Sequence, residues 1–318
     1  MERRPQRQRR LSKPVISVGN LSMGGTGKTP VVAAIAKWLV DRGQRPSILT
    51  RGYGREDAVD GVVVVDASTP VAHSGDEPLM LVRQVPAAIV CVSPDRYLGG
   101  VLAEKLGSTV HILDDGFQHI ELARDLDILV TTVGEIPNGR VIPAGRLREP
   151  KDAAARAHFL VVTDATAGAA SAEAWALGIS RFCATKRTLG APVAIRADQG
   201  SGIGDQKILA VAGIANPERF VSALRDAGHH IVDSMTFPDH HRYSAKDLIA
   251  IDAKMKSAGA DAVFTTEKDA VRFEALSPSF AIYGVPLVVE FDPPDALFES
   301  VKSVLESSFA RSELRRDE

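Results

Sequence analysis

Ser22-Met23-Gly24-Gly25-Thr26-Gly27-Lys28-Thr29 is the stretch on which the reading of the fold turns. It follows a short β-branched run, Val15-Ile16-Ser17-Val18, that ends at Gly19, and it opens directly into an apolar helical pattern from Pro30 to Val40. Glycines at this density let successive backbone N–H groups turn inward, and the N-terminus of the following helix adds the positive end of its dipole. A strand, a glycine-rich turn and a helix in that order form a phosphate cradle, the P-loop. In it Lys28 reaches the β- and γ-phosphates of a nucleoside triphosphate and the Thr29 hydroxyl ligates Mg²⁺. Pro30 is tolerated because first-turn N–H groups have no partner within the helix. The one departure from GxxxxGK[ST] is Ser22, which stands where the first glycine is usual. The ATP-binding candidates are therefore Ser22 to Thr29.

Further along the chain, short and nearly all-apolar strands are expected at Ser47 to Thr50, Val62 to Val65, Ala88 to Val92, Val110 to Leu113, Ile128 to Thr131 and Phe159 to Val162. Strands of this kind are buried on both faces, which predicts a parallel sheet covered by helices. Between Thr188 and Asp205 the pattern dissolves into Gly, Ala, Pro and Asp, the signature of a linker or hairpin excursion. A second α/β unit follows, with strands at Ile208 to Ala212, His230 to Met235, Ala262 to Thr265 and Leu287 to Phe291. The expected class is a P-loop NTPase three-layer α/β/α domain with a mainly parallel sheet, plus a second, smaller α/β domain. The expected boundaries are a basic arm at 1–13, the P-loop kinase domain at 14–187, a linker at 188–205, the smaller domain at 206–294 and a C-terminal helix and tail at 295–318.

With 318 residues, 45% of them hydrophobic and 25% charged, the chain can bury one large core or two smaller ones. A formal net charge of -2 gives no global attraction to nucleic acid, so none is expected as a partner. No protein partner is expected either. Cys91 and Cys183 lie far apart and without CxxC spacing, which argues against a disulfide framework or a zinc site. No apolar run is long enough to span a bilayer. In the first thirteen residues, Arg3, Arg4, Arg7, Arg9, Arg10 and Lys13 face one acid, Glu2. That arm reads as a solvated, disordered segment or as a contact for anionic lipid headgroups.

A P-loop needs a second carboxylate at the end of a neighbouring strand, and the run Val110 to Leu113 leads into Asp114-Asp115-Gly116-Phe117-Gln118-His119. A carboxylate there can hold Mg²⁺ directly or through water. Gly75-Asp76-Glu77-Pro78 precedes an expected helix at Leu79 to Gln84 and, by spacing alone, is a routine N-cap. Pro238-Asp239-His240-His241-Arg242-Tyr243 reads equally as a solvated turn or as a site where a histidine beside an acid takes a proton from a hydroxyl. Ser93-Pro94-Asp95-Arg96, Arg146-Leu147-Arg148-Glu149-Pro150 and Thr265-Thr266-Glu267-Lys268-Asp269 are further polar clusters, several at strand ends where open α/β sheets place ligands.

In this order the segments resemble the tetraacyldisaccharide 4′-kinase family, the lipid A 4′-kinases of Gram-negative bacteria. The residues that carry the resemblance are Val18-Gly19-Asn20, Gly24 to Pro30, Arg51-Gly52-Tyr53-Gly54, Gly75 to Pro78, Asp114 to His119, Arg146 to Pro150, Asp239-His240-His241 and Thr266 to Asp269. The resemblance implies transfer of the ATP γ-phosphate to the 4′-hydroxyl of a tetraacyldisaccharide 1-phosphate, with ATP and Mg²⁺ as cofactors. It implies Asp76 and His240 as the catalytic pair. It further implies Thr29, Asp114, Gln118 and Glu149 on the metal side, and Asp115, His119, Arg96, Arg148 and Asp239 as substrate or phosphate contacts. Members usually carry an apolar N-terminal segment that seats them on the inner membrane. The sequence has only the basic arm, so the expectation is a cytoplasmic protein held peripherally on the inner-membrane surface. The rival reading is a partner-regulated P-loop ATPase of the partitioning or metal-insertase type. Those proteins usually carry a signature lysine where this chain has Met23, and a GTPase would need an [NT]KxD motif that Thr266 to Asp269 does not meet.

Overall fold

The computed structural model describes residues 8–52, 61–196, 206–239, 241–274 and 276–314. His240, Tyr53 and Gly54 lie outside the described residues, as do residues 1–7. The chain divides into two compact units, Met1–Arg187 with Val289–Glu318, and Thr188–Val288.

The elements of the first unit begin with β1 (Val15–Gly19), α1 (Lys28–Val40), β2 (Pro46–Thr50), β3 (Val63–Val65), α2 (Val71–Ser74), α3 (Asp76–Gln84), β4 (Ile89–Val92), α4 (Arg96–Lys105) and β5 (Val110–Asp114). They continue with β6 (Leu126–Thr132), β7 (Phe159–Thr163), α5 (Ala167–Leu177) and β8 (Phe182–Leu189). The second unit contains β9 (Val193–Arg196), β10 (Lys207–Ala212), α6 (Pro217–Asp226), β11 (His230–Thr236), α7 (Ala245–Ala258), β12 (Ala262–Thr266), α8 (Glu267–Glu274) and β13 (Ile282–Val285). The chain ends with β14 (Leu287–Asp292) and α9 (Ala296–Leu314).

The large sheet has the order β14-β8-β7-β6-β1-β5-β2-β4-β3. Its inner pairs are parallel, and β3 runs antiparallel to β4 at one edge. Every residue of β1, β2, β4, β5 and β7 is buried, the double-sided burial expected of apolar strands in a parallel sheet. The order places β1 between β5 and β6, with Val18 in register with Asp114. The P-loop and the Asp114–His119 loop thus leave the sheet side by side, at the carboxyl ends of adjacent strands, where such sheets bind ligands. Gly19 is required at this crossing. A Cβ there would lie 2.6 Å from both the Cβ and the backbone nitrogen of Phe117.

The second unit has its own sheet, β11-β10-β12-β13-β9, parallel except where β9 runs antiparallel to β13. Its core is built on both faces of β10 and β12, with Leu209, Val211 and Val263 in one cluster and Ile208, Ala210 and Phe264 in the other.

Three expectations change. Residues 188–205 were to be a linker, but β8 runs through to Leu189 and Val193–Arg196 forms a strand that pairs with β13. The strand near Leu287 to Phe291 was assigned to the smaller domain, which was to end at 294. It is β14, and it joins the large sheet beside β8. An apolar alternation marks a strand but does not mark its neighbour. The basic arm is expected as a solvated segment or as a contact for anionic headgroups; its described residues, from Gln8 onward, are part of the fold. Arg9 pairs with both oxygens of Asp95 at 2.8 and 2.9 Å and lies over the Tyr97 ring, Arg10 reaches Asp125 at 3.1 Å, and Leu11 is buried. The acids and a pocket for Leu11 supply partners that the arginine count alone does not reveal. Among the described residues no helix is long and apolar enough to cross a membrane. Cys91 and Cys183 are free, buried thiols, pushed up by burial to about 11 and about 12.

Candidate functional site

Helix α1 begins at Lys28 behind Gly27, which takes the left-handed conformation at φ 86 that glycine adopts without strain. No side chain caps the helix, so its first-turn N–H groups face the loop. Opposite this cradle the loop is laced to the segment 146–148. The N–H of Met23 donates to the Arg146 carbonyl (2.7 Å), the N–H of Arg148 donates to the Leu21 carbonyl (2.6 Å), and Ser22 bridges Leu147. The Arg146 guanidinium closes the turn by donating to the Met23 carbonyl at 2.8 Å. Ser22 is buried, and its Oγ accepts from the Asn20 amide at 3.3 Å. The serine in the first motif position therefore has a bonded role that a glycine could not fill.

Asn20 is the hub of this arrangement, a role its sequence position does not announce. It is fully buried, and its Oδ1 accepts from Lys28 Nζ (3.1 Å) and from Arg148 Nη2. Its backbone carbonyl accepts from Gln118 Nε2 (2.9 Å) and Arg148 Nη2 (3.1 Å). An Asn directly after a strand and just before a glycine-rich turn is the only signal the sequence offers for it. Arg148 also grips Asp115 with two hydrogen bonds, at 2.9 and 2.8 Å, and Lys28 Nζ lies 3.5 Å from Asp115. Burial alone would raise the Asp115 carboxyl, but the Arg148 hydrogen bonds and the charges of Lys28, Arg148 and Arg96 hold it down to about 2.

Asp114, at the end of β5, is in the opposite state. Burial, then the charges of Glu77 and Asp115, push its carboxyl up to about 7 against the pull of Lys28 and Arg96. Its Oδ1 finds no hydrogen-bond partner among the described residues, and neither does Oε1 of Gln118. Two buried acceptor oxygens without donors fit a hard cation, which takes oxygen ligands and keeps waters and phosphate oxygens for the remainder. Glu149 is already engaged by Arg156, at 2.9 Å to each oxygen, and by Gln118 at 2.9 Å. No cluster of three or more His, Cys, Asp or Glu able to hold a metal occurs among the described residues. Any such ion would rely on a mixed set including Thr29, the second residue of α1.

Arg96 opens α4 behind the N-cap Asp95 and is almost wholly buried. Its Nη2 donates to the Asp114 carbonyl at 3.4 Å, while Nε and Nη1 have no partner among the described residues. Burial, then the charge of Arg51, lowers it to about 10, still a cation at neutral pH. Guanidinium hydrogens buried without acceptors suit an anionic ligand. His119 is buried with Nε2 unpartnered, and burial with the Arg96 and Arg51 charges lowers it to about 4, so its ring is neutral. Asp76 is the first residue of α3 and Glu77 the second. The helix was expected to start at Leu79 with these acids before it. Instead Gly75 at φ 83 is the N-cap, and both acids sit in the first turn, where the helix dipole favours negative charge.

In the second unit, Asp239 and His241 lie on the loop between β11 and α7. Asp239 stands 3.9 Å from Lys268, and His241 Nε2 stands 3.3 Å from Asp247. The first unit therefore brings together Ser22 to Thr29, Asp114, Asp115, Gln118, His119, Arg148, Glu149 and Arg96 around the ends of β1 and β5. Residues that sequence reasoning missed there are Asn20, Arg156 and Arg124, the last of which donates to the His119 carbonyl at 3.0 Å.

The profile of the tetraacyldisaccharide-1-P 4′-kinase family matches residues 1–306. A tetraacyldisaccharide 4′-kinase of Geobacter sulfurreducens is 40% identical over 296 residues, covering 90% of this chain and 82% of that protein. One from Pelobacter propionicus is 40% identical over 278 residues, covering 85% of this chain and 76% of that protein. Among solved structures, an "apo" form of LpxK from Aquifex aeolicus in complex with ATP is similar at a TM-score of 0.74 and 29% identity, covering 94% of this chain and 90% of that one.

Proposed function

The chain belongs to the tetraacyldisaccharide 4′-kinase family, and from that membership we infer that it transfers the γ-phosphate of ATP to the 4′-hydroxyl of a tetraacyldisaccharide 1-phosphate in lipid A biosynthesis. It is an ATP-dependent kinase. The observation that carries this reading is the interlock of the P-loop with the Asp114–His119 loop through Asn20, Lys28 and Arg148. It fixes an anion cradle beside buried acceptor oxygens, the arrangement phosphoryl transfer needs.

The chemistry follows from the residues. A loose phosphoryl-transfer transition state spreads charge over the oxygens of the transferred group, so alignment and fixed positive charge supply most of the rate. Lys28 and the first-turn N–H groups of α1 hold the phosphates, with Arg96 as a further anion contact. Asp76 takes the proton of the acceptor hydroxyl and His240 assists it. Thr29, Asp114 and Gln118 would hold Mg²⁺, with Glu149 orienting Gln118. Magnesium, when bound, neutralises charge on the β- and γ-phosphate oxygens. Asp115, His119, Arg148 and Asp239 complete the phosphate and substrate contacts.

Incubation of the purified protein with ATP, Mg²⁺ and the disaccharide 1-phosphate should yield a product phosphorylated at the 4′ position. Asp76→Ala should lower turnover about a hundredfold or more while ATP affinity changes little. Unchanged turnover would remove Asp76 from the pair. The lipid acceptor also supports peripheral contact with the cytoplasmic face of the inner membrane. Arg9 and Arg10 are engaged by Asp95 and Asp125, so the contact is assigned to the other basic residues of the arm, Arg3, Arg4, Arg7 and Lys13. Cations near an anionic leaflet contribute about 1 kcal/mol each. Deletion of residues 1–7 should weaken binding to anionic vesicles at low salt, and equal binding by both forms would refute the contact.

A further inference from the structure

The motif Thr266-Glu267-Lys268-Asp269 lies in the second unit, and its surroundings there point to a task. Asp269 is fully buried in α8. Its Oδ2 accepts from the N–H of Gly213, just beyond β10, at 2.9 Å and from the Thr266 hydroxyl at 2.8 Å. Its Oδ1 lies 3.3 Å from Nη1 of Arg272, one turn further along the helix. The same Nη1 donates to the backbone carbonyl of His241 at 3.1 Å. Lys268 on this helix faces Asp239 at 3.9 Å. Helix α8 therefore addresses both sequence neighbours of His240. The His241 ring is packed as well, stacked on Phe237 at 4.6 Å and edge-on to Tyr243 at 5.0 Å.

A simpler account is that Thr266 and Asp269 only start α8, since the Asp269 N–H also donates to the Thr266 hydroxyl at 3.1 Å. That explains the short-range pair. It does not explain why an arginine is buried beside Asp269 with a hydrogen directed to a carbonyl 31 residues away. A buried ion pair is no more stabilising than well-packed apolar side chains of the same volume, so stability alone does not call for one. What it provides is a donor of fixed direction.

We propose that Asp269 and Arg272 are positioning residues for the phosphoryl transfer: the guanidinium held by Asp269 grips the His241 carbonyl and holds the backbone at His241, the residue that follows His240 in the chain. The inference rests on the assignment of His240 to the catalytic pair.

The test is a double-mutant cycle between Arg272→Ala and His240→Ala, read as kcat and KM with ATP, Mg²⁺ and the disaccharide 1-phosphate, with thermal melting to establish folding. Alone, Arg272→Ala should lower kcat on the order of tenfold to a hundredfold with KM for ATP unchanged. In the His240→Ala background the same substitution should lower kcat by less than about twofold, because the group it positions is gone. Arg272→Lys, which keeps a cation beside Asp269, should retain more activity than Arg272→Ala. Should Arg272→Ala not melt cooperatively, Asp269→Asn carries the same cycle. An equal loss in both backgrounds overturns the positioning role while leaving His240 catalytic. Full turnover in His240→Ala alone overturns the assignment of His240 and this inference with it.

Discussion

Each unit hangs a loop of candidate site residues from a buried Arg–Asp pair spaced three residues apart, and the two pairs are finished differently. In the first unit Arg124 lies 3.0 Å from Asp127, both side chains almost wholly buried, and Arg124 donates to the carbonyls of His119 (3.0 Å) and Gly116 (3.4 Å). In the second unit Arg272 pairs with Asp269 and donates to the carbonyl of His241. Asp269 keeps two further donors, the Gly213 N–H and the Thr266 hydroxyl, whereas Oδ1 of Asp127 finds no partner among the described residues. The loops differ in the same sense. That of the first unit is cross-linked by Arg148 to Asp115 and Arg156 to Glu149, while that of the second adds ring packing around His241 to its pairs of Asp239 with Lys268 and His241 with Asp247. Charged groups aimed at a multiply charged ligand must be fixed before it arrives, since reorganising them would cost the rate they supply.

The largest expected effect follows from Asp127. Arg124→Ala leaves that carboxylate buried without its cation, a loss of roughly 3–5 kcal/mol for a broken buried pair. Arg272→Ala leaves Asp269 with two hydrogen bonds, so its cost in stability should be smaller. Thermal melting of the two variants checks the order. A greater loss for Arg272→Ala would break the comparison, because the spare donors around Asp269 would then count for nothing.

Neither pair is conspicuous in the sequence, and the reason is physical. The P-loop is legible because its chemistry demands residue types at fixed local offsets, and Asp114 to His119 is legible because it follows a nearly all-apolar strand. Both lie where expected, at the ends of β1 and β5. Arg124 and Asp127 are charged residues at the entrance to β6 and resemble any solvated turn until the strand is seen to be buried. Asn20 is a single amide whose partners stand 8, 98 and 128 residues away, beyond the reach of any periodicity. The return of Leu287–Asp292 to the large sheet escaped for a related reason, since strand order is set by packing of whole layers. Within the described part of the basic arm, Arg9 and Arg10 are paired because Asp95 and Asp125 face them, which a count of arginines does not reveal.

The smallest expected effect sharpens the contrast between two histidines. His241 stands beside a carboxylate, Asp247, whereas the His119 ring is buried among Arg96, Arg51 and Arg124. Burial first, and then those cations, lower His119 from 6.5 to about 4. Its folded form therefore refuses a proton that the unfolded chain accepts near pH 6.5. By linkage this contribution to stability is complete above pH 6.5, shrinks as the pH falls and is spent near pH 4. His119→Gln removes the titrating group while keeping a polar side chain, so melting temperature should fall less between pH 7 and pH 5 in the variant than in the parent. An identical fall in both would place the acid sensitivity on other groups and would mean that the cationic surroundings of His119 are screened. A smaller fall would fix His119 as a neutral hydrogen-bonding group at the pH where the kinase works, able to donate or accept toward a phosphate but not to neutralise it.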